Sequence, residues 1–166
     1  YLSEQNLLEF YSFTEEMKKL GKTPSSIIKS FKITTADKET AKKLNIQDES
    51  KIYCLERIRL ADEVPIMIEK TYLPLSRFPR LTKNDFVKNP MYTVFINEYN
   101  VTFEKAVEKF SVAYPGRDTA KKLLLTQNIP CIKLERTTYE SERVIEYTVG
   151  IIRGDRFQFE VTLDNN

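Results

Sequence analysis

Apolar and polar positions mix with a period near two through four stretches of the chain: Lys51–Leu60, Pro65–Leu73, Ile132–Tyr139 and Val144–Ile152. In the first, Ile52, Cys54, Ile58 and Leu60 are set among polar neighbours, the pattern of a half-buried strand. Polar turns, Asp62-Glu63 and Glu140-Ser141-Glu142-Arg143, separate them into two hairpins. A last strand is expected over Phe157–Leu163, after Arg153-Gly154-Asp155-Arg156. Apolar spacing of helical type appears at Thr14–Leu20, Pro90–Tyr99 and Thr82–Val87. The first of these is opened by Ser12 or Thr14 as N-cap and closed by Gly21.

The chain also repeats itself. Ala41-Lys42-Lys43-Leu44 returns as Ala120-Lys121-Lys122-Leu123, and Leu55-Glu56-Arg57 as Leu134-Glu135-Arg136, both 79 positions on (120 − 41 and 134 − 55); Phe31 and Phe110 keep the same offset. A constant offset across separate matches means that the intervening elements have equal length, so the chain reads as an internal duplication. Each copy runs from a β-prone stretch (Ile28–Ile33, Lys109–Ala113) into a short helix (Asp37–Leu44, Arg117–Leu125) and then a hairpin. The expected fold is α+β: one mainly antiparallel sheet with flanking helices, and a cleft where the halves meet.

Composition narrows the chemistry. At 166 residues with 41% hydrophobic content, one folded domain over 1–166 is expected. Net charge is +2, without a run of like charges, so the chain itself offers no nucleic-acid-binding arm. Nothing resembles a signal peptide or a bilayer span, and the expected compartment is the cytoplasm, where Cys54 and Cys131 would be reduced thiols. The start at Tyr1 rather than Met suggests a piece of a longer protein. Histidine is absent, which removes the usual general base and the commonest metal ligand. No phosphate-binding glycine loop occurs among the four glycines. No metal and no cofactor are expected, while catalysis by carboxylates or lysine stays conceivable.

Several residues are candidates for a site. Arg57 and Arg59, two apart on a strand, point to the same face about 6–7 Å apart. Such a pair suits a phosphate or carboxylate, or is simply a solvated basic face. Thr14 at a helix start is either a plain N-cap or part of an anion site. Glu69 and Glu146 interrupt apolar strands and share a face across the repeat, where an inward charge is costly unless paired; an exposed face is the other reading.

The chain resembles the UTRA ligand-sensing domain of the histidine-utilisation-repressor-type branch of GntR transcription regulators. The resemblance rests on Phe13-Thr14-Glu15-Glu16-Met17 with Gly21 and Pro24, on Leu55-Glu56-Arg57-Ile58-Arg59-Leu60-Ala61-Asp62, on Pro65-Ile66 with Glu69, on Leu73-Pro74, and on Arg153-Gly154-Asp155-Arg156-Phe157. It implies a chorismate-lyase-like fold, a winged helix-turn-helix ahead of Tyr1, a homodimer that reaches DNA only through that missing domain, and no membrane partner. It implies a small anionic effector, a sugar phosphate or related phosphorylated compound, held by Arg57 and Arg59 and covered by Phe13 and Thr14. Glu69, Tyr92 and Glu146 would orient the remainder of the effector. Where relatives tend to carry Ser before the helix of Tyr92 and Tyr before Arg-Gly-Asp-Arg, this chain has Pro90 and Ile152. Both changes make the pocket less polar and argue against a plain amino-sugar phosphate. The rival expectation is a chorismate-lyase-like enzyme, with Arg57 and Glu146 serving a small dicarboxylate.

Overall fold

The computed structural model describes residues 17–126, 128–159 and 163–165. The alternating stretches form one sheet of six strands, β1 (Pro24–Thr35), β2 (Lys51–Ala61), β3 (Val64–Pro74), β4 (Lys105–Ala113), β5 (Cys131–Glu140) and β6 (Arg143–Arg153). Every pairing is antiparallel, and the order is β1-β2-β3-β6-β5-β4. Two hairpins are tight because their turn residues accept left-handed backbone: Asp62 and Glu63 at φ 47 and 64, and Ser141 at φ 54, the geometry that matches the twist of the flanking strands. Residues 17–19 are helical, and further helices among the described residues are α1 (Lys38–Leu44), α2 (Lys83–Lys88), α3 (Met91–Tyr99) and α4 (Arg117–Lys122). In α1 the Asp37 carboxylate caps the helix by accepting from Thr40 N–H at 2.8 Å. Asn45 and Asn100, both left-handed, close α1 and α3.

The repeat seen in the sequence has a counterpart in the pairing registers. Phe31 pairs with Leu55 and Phe110 with Leu134; Ile52 pairs with Pro74 and Cys131 with Arg153. One irregularity corresponds, a register shift between Arg59 and Leu60 in β2 and between Thr138 and Tyr139 in β5, whereas the shift between Ile28 and Ser30 in β1 has no counterpart in β4. The two units join through β3 and β6, where Lys70 pairs with Val149. These positions are themselves 79 apart (149 − 70), so a local two-fold relating the units passes through that pair. Residues on either side of it face each other from the two copies.

The two sheet faces are filled differently. On one, Ala41 and Leu44 of α1 pack with Ile52 and Tyr147, and Leu123, just past α4, packs with Ile58 and Ile68. On the other, α3 lays Met91, Val94 and Phe95 against Tyr53 and Leu73. Further along the same face Met17 and Phe157 cover Met67, Leu134 and Ile152. The expected strand at Phe157–Leu163 does not form over its described residues. Instead of pairing with an edge, Phe157 and Phe159 set their rings on Phe110, at centroid distances of 6.0 and 4.8 Å. β1 and β4, in contrast, run longer than the β-prone stretches that announced them. Cys54 and Cys131 are both free and buried.

Leu55 and Leu134 occupy equivalent places in the two units and are fully buried. Replacing either by Ala is expected to lower stability by about 2–5 kcal/mol and to shift one common transition in urea. Two separated transitions would contradict a single continuous sheet.

Candidate functional site

A diagonal band of polar side chains crosses the sheet face under α3. Adjacent strands bring Leu55, Thr71, Thr148, Arg136 and Glu108 into one row, and Arg57, Glu69, Gly150 and Leu134 into the next. Arg59 extends the band on one side, and Thr138 paired with Glu146 extends it on the other. All the buried polar and charged residues among those described, Arg57, Glu69, Thr71, Arg136, Thr138, Glu146 and Thr148, belong to this band. An apolar cluster lies on each side of it. Both copies of the repeat contribute, because the band crosses the β3–β6 junction. The reading of Arg57 and Arg59 as a solvated basic face is thereby corrected, as is the exposed-face reading of Glu69 and Glu146: the register turns all four inward.

The groups pair in two linked centres. The Glu69 carboxylate bridges both arginines, with Oε1 at 2.5 Å from Arg57 Nη2 and 2.8 Å from Arg59 Nη1. Burial alone would raise its pKa, but Arg57 and then Arg59 outweigh burial and hold it at about 2. Burial is also the main influence on Arg57, lowering its pKa from the ordinary value against the support of Glu69. Arg57 Nε is buried with no hydrogen-bond partner.

In the second centre, Glu146 accepts from Tyr92 Oη at 2.7 Å, Thr138 Oγ1 at 2.8 Å and Thr148 Oγ1 at 2.5 Å. Arg136 Nη1 donates to Tyr92 Oη at 3.2 Å, and its Nε lies 3.7 Å from Glu108 Oε1. Burial pushes the Tyr92 phenol well above its usual range; Arg136 opposes this and Glu146 adds to it. The phenol therefore stays neutral and donates to the carboxylate. For Arg136, burial works against the charge, yet Tyr92, Glu146, Glu108 and Glu69 outweigh it and raise the pKa.

Of the residues singled out from the sequence, Arg57, Arg59, Glu69, Tyr92 and Glu146 come together in this band. Phe13 and Thr14 lie outside the described residues. Pro90 caps α3 just before Met91 and Tyr92, and Ile152 is buried beside Met67 and Leu134. Sequence reasoning missed Arg136, Glu108, Thr71, Thr138 and Thr148. The signal for Arg136 was present in the repeat, which makes it the equivalent of Arg57. Among the described residues no group of His, Cys, Asp and Glu could hold a metal ion, and no helix is long and apolar enough to cross a membrane.

The UTRA domain family matches residues 19–158, and the chain belongs to it. The HTH-type transcriptional repressor NagR of Bacillus subtilis (strain 168) is 29% identical over 163 residues, covering 97% of this chain and 66% of that protein. The mannosyl-D-glycerate transport/metabolism system repressor MngR of Escherichia coli (strain K12) is 22% identical over 155 residues, covering 93% of this chain and 64% of that protein. The chain thus spans just under two-thirds of the length of these regulators. The crystal structure of the effector domain of PhnF from Mycobacterium smegmatis has the same fold, with a TM-score of 0.82 at 26% identity, covering 93% of this chain and 95% of that one. The relatives regulate transcription and are not enzymes, so the lyase-like alternative is set aside.

The Glu69 pairing makes a pH prediction. A carboxyl whose folded pKa is about 2 against an ordinary 4.5 stabilises the fold above pH 4.5, and that contribution is lost as pH falls towards 2. The difference corresponds to about 3 kcal/mol. Urea unfolding between about pH 2 and 5 is expected to show this loss in the parent and a flatter profile in Glu69→Gln. Equal slopes would show that Glu69 is not held by the two arginines.

Proposed function

We propose that this domain is the effector-sensing part of a transcription repressor and binds a small anionic metabolite, a phosphorylated sugar or related phosphorylated compound, in the polar band. The observation that carries the reading is the convergence of Arg57 and Arg59 on one buried carboxylate, with Arg57 Nε left without an acceptor. A buried donor without a partner costs free energy, and an oxyanion able to accept from several guanidinium donors relieves that cost. Glu69 stands where such an anion would be received, so binding exchanges an internal carboxylate for an external one. Tyr92 and Glu146 present a donor–acceptor pair to the rest of the ligand.

The relatives support this reading without defining the ligand. MngR, by its name, represses a system handling mannosyl-D-glycerate, which joins hydroxyls to a carboxylate. In this reading DNA is contacted through a helix-turn-helix domain outside the sequence described, in line with the HTH-type name of NagR. Ligand binding acts on it by favouring one of two dimer arrangements, which requires different affinities for the two. The domain is cytoplasmic and assembles as a homodimer, the commonest symmetric assembly. The edge strands offer apolar surface for it at Ile33 on β1 and Val112 on β4, 54% and 69% exposed.

Arg59→Ala is expected to weaken effector binding by about 1.5–3 kcal/mol, the range for a hydrogen bond to a charged group, while leaving the fold intact. Calorimetry with phosphate esters, beside a circular dichroism check, measures it. Unchanged affinity in both Arg59→Ala and Glu146→Ala would place the pocket elsewhere. In light scattering at about tens of micromolar the mass of a dimer is expected, and a strict monomer would contradict the assembly.

A further inference from the structure

Gly150 lies in the middle of β6, paired with Glu69 on one side and Leu134 on the other. A glycine inside a strand gives up backbone entropy and packs nothing. Its backbone is extended strand, and among the described glycines only Gly21 has a positive φ, so no turn calls for it. The repeat shows that the scaffold does not call for it either. Gly150 is the equivalent of Thr71, and Thr148 of Glu69, both at the same offset (150 − 71 and 148 − 69, each 79). On one side of the local two-fold, Thr71 and Thr148 face each other and their hydroxyls share a hydrogen bond at 2.8 Å. On the other, Glu69 faces a glycine.

The end of the Met67 side chain stands over that glycine. A Cβ placed on Gly150 would overlap the terminal methyl of Met67, and would come to 3.7 Å from Met67 Sδ and from Glu69 Cβ. Met67 belongs to the neighbouring pair of the same ladder, opposite Ile152, so its chain leans back over the row that holds Arg57 and Glu69. It is buried. Its equivalent in the second copy is Glu146 (146 − 67 is again 79), which Tyr92, Thr138 and Thr148 fix by hydrogen bonds. A thioether has no such ties. Unbranched, polarisable and free to turn about three bonds, methionine is the apolar side chain most easily moved aside. Below it, Gly150 presents backbone whose polar groups face along the ladder, with Leu134 and Ile152 supplying apolar surface beside it.

We propose that Gly150 is the floor of a second subsite, beside the anion site, for the uncharged carbon skeleton of the effector, and that Met67 is its yielding cover. The skeleton takes the place of the Met67 terminal methyl and lies directly on the strand backbone, the close approach that glycine permits. Met67 gives way towards the apolar cluster it shares with Leu134 and Ile152. With backbone below and apolar side chains around it, the subsite selects a slim C–H surface on that part of the effector and not projecting hydroxyls. This inference rests on the anion site proposed above and adds the two residues that set the size and polarity of what is attached to the anion.

Inorganic phosphate and propyl phosphate, which share the anion and differ by an alkyl tail, test it when titrated into the 166-residue chain and followed by NMR. The chain has only three methionines, so isotope-labelled methionine methyl groups give a simple spectrum in which Met67→Leu identifies the Met67 signal. Propyl phosphate is expected to shift that signal together with those of the Arg57 and Arg59 side chains, and to bind about tenfold more tightly than inorganic phosphate, as burial of a short tail gives. Gly150→Ala is expected to narrow the ratio to about threefold or less, whereas a merely structural defect would weaken both ligands alike. The Met67 shift is read in the parent chain and decides the matter even if Gly150→Ala does not fold. Arginine signals that moved without Met67, no advantage for propyl phosphate, or a ratio that survived in Gly150→Ala would overturn the subsite and leave the anion site standing. If neither ligand moved the Arg57 and Arg59 signals, the anion site would fall together with the inference.

Discussion

Three arginines and three carboxylates drawn onto the covered face of one sheet set the terms for the rest of this molecule. Ionised side chains leave water only when partners replace their hydration, and here each is held against an opposite charge or a hydrogen-bonding hydroxyl. Glu69 between Arg57 and Arg59, and Glu146 among Tyr92, Thr138 and Thr148, show how strictly this is met. Removing Glu69, which both Arg57 and Arg59 contact, takes from Arg57 its close carboxylate, and a buried charge left without its counterpart is far costlier than never having buried the pair. The band is therefore a poor device for stability alone, which is in keeping with the anion-receiving role proposed for it.

The strand ladder makes that order possible. Each contributing side chain comes from a different point in the sequence, and only the registers of β2 with β3, β3 with β6 and β6 with β5 put them side by side. A slip of one residue would send the charges to the opposite face and bring apolar residues into the band. The apolar clusters around Phe95 and around Leu134 flank the charges, strengthening their interactions by keeping water away. Because the junction of the two units runs through the band, a change in their relative placement would alter the proposed site and the outer strands together. Such a link is what coupling an effector site to a dimer contact requires.

Much of the architecture was legible beforehand, for identifiable reasons. Hairpins announce themselves by period-two patterning and polar turns, and the repeat by its unchanging offset, so β2–β3 and β5–β6 were found with nearly their true bounds. Arg57 and Arg59 stood out because two like charges at i and i+2 share a face whatever the register. Arg136, Glu108 and the three threonines could not be found in that way. One polar residue in a strand looks like an outward-facing one until its cross-strand neighbours are known, and those lie on strands far apart in the chain. Over its described residues the segment from Phe157 departs from the expected strand: alternating phenylalanines suit a strand, and here the rings of Phe157 and Phe159 lie on Phe110.

The central claim is that the band is where an anion is received. Crystals grown with selenate, a tetrahedral dianion whose selenium is located by its own anomalous scattering, test this directly. The account predicts a selenium peak within hydrogen-bonding reach of the Arg57 and Arg59 guanidiniums, with the Glu69 carboxylate moved off at least one of them. Selenate found only in the surface groove lined by Lys19, Lys22 and Arg156, with Glu69 still bridging both arginines, would contradict it.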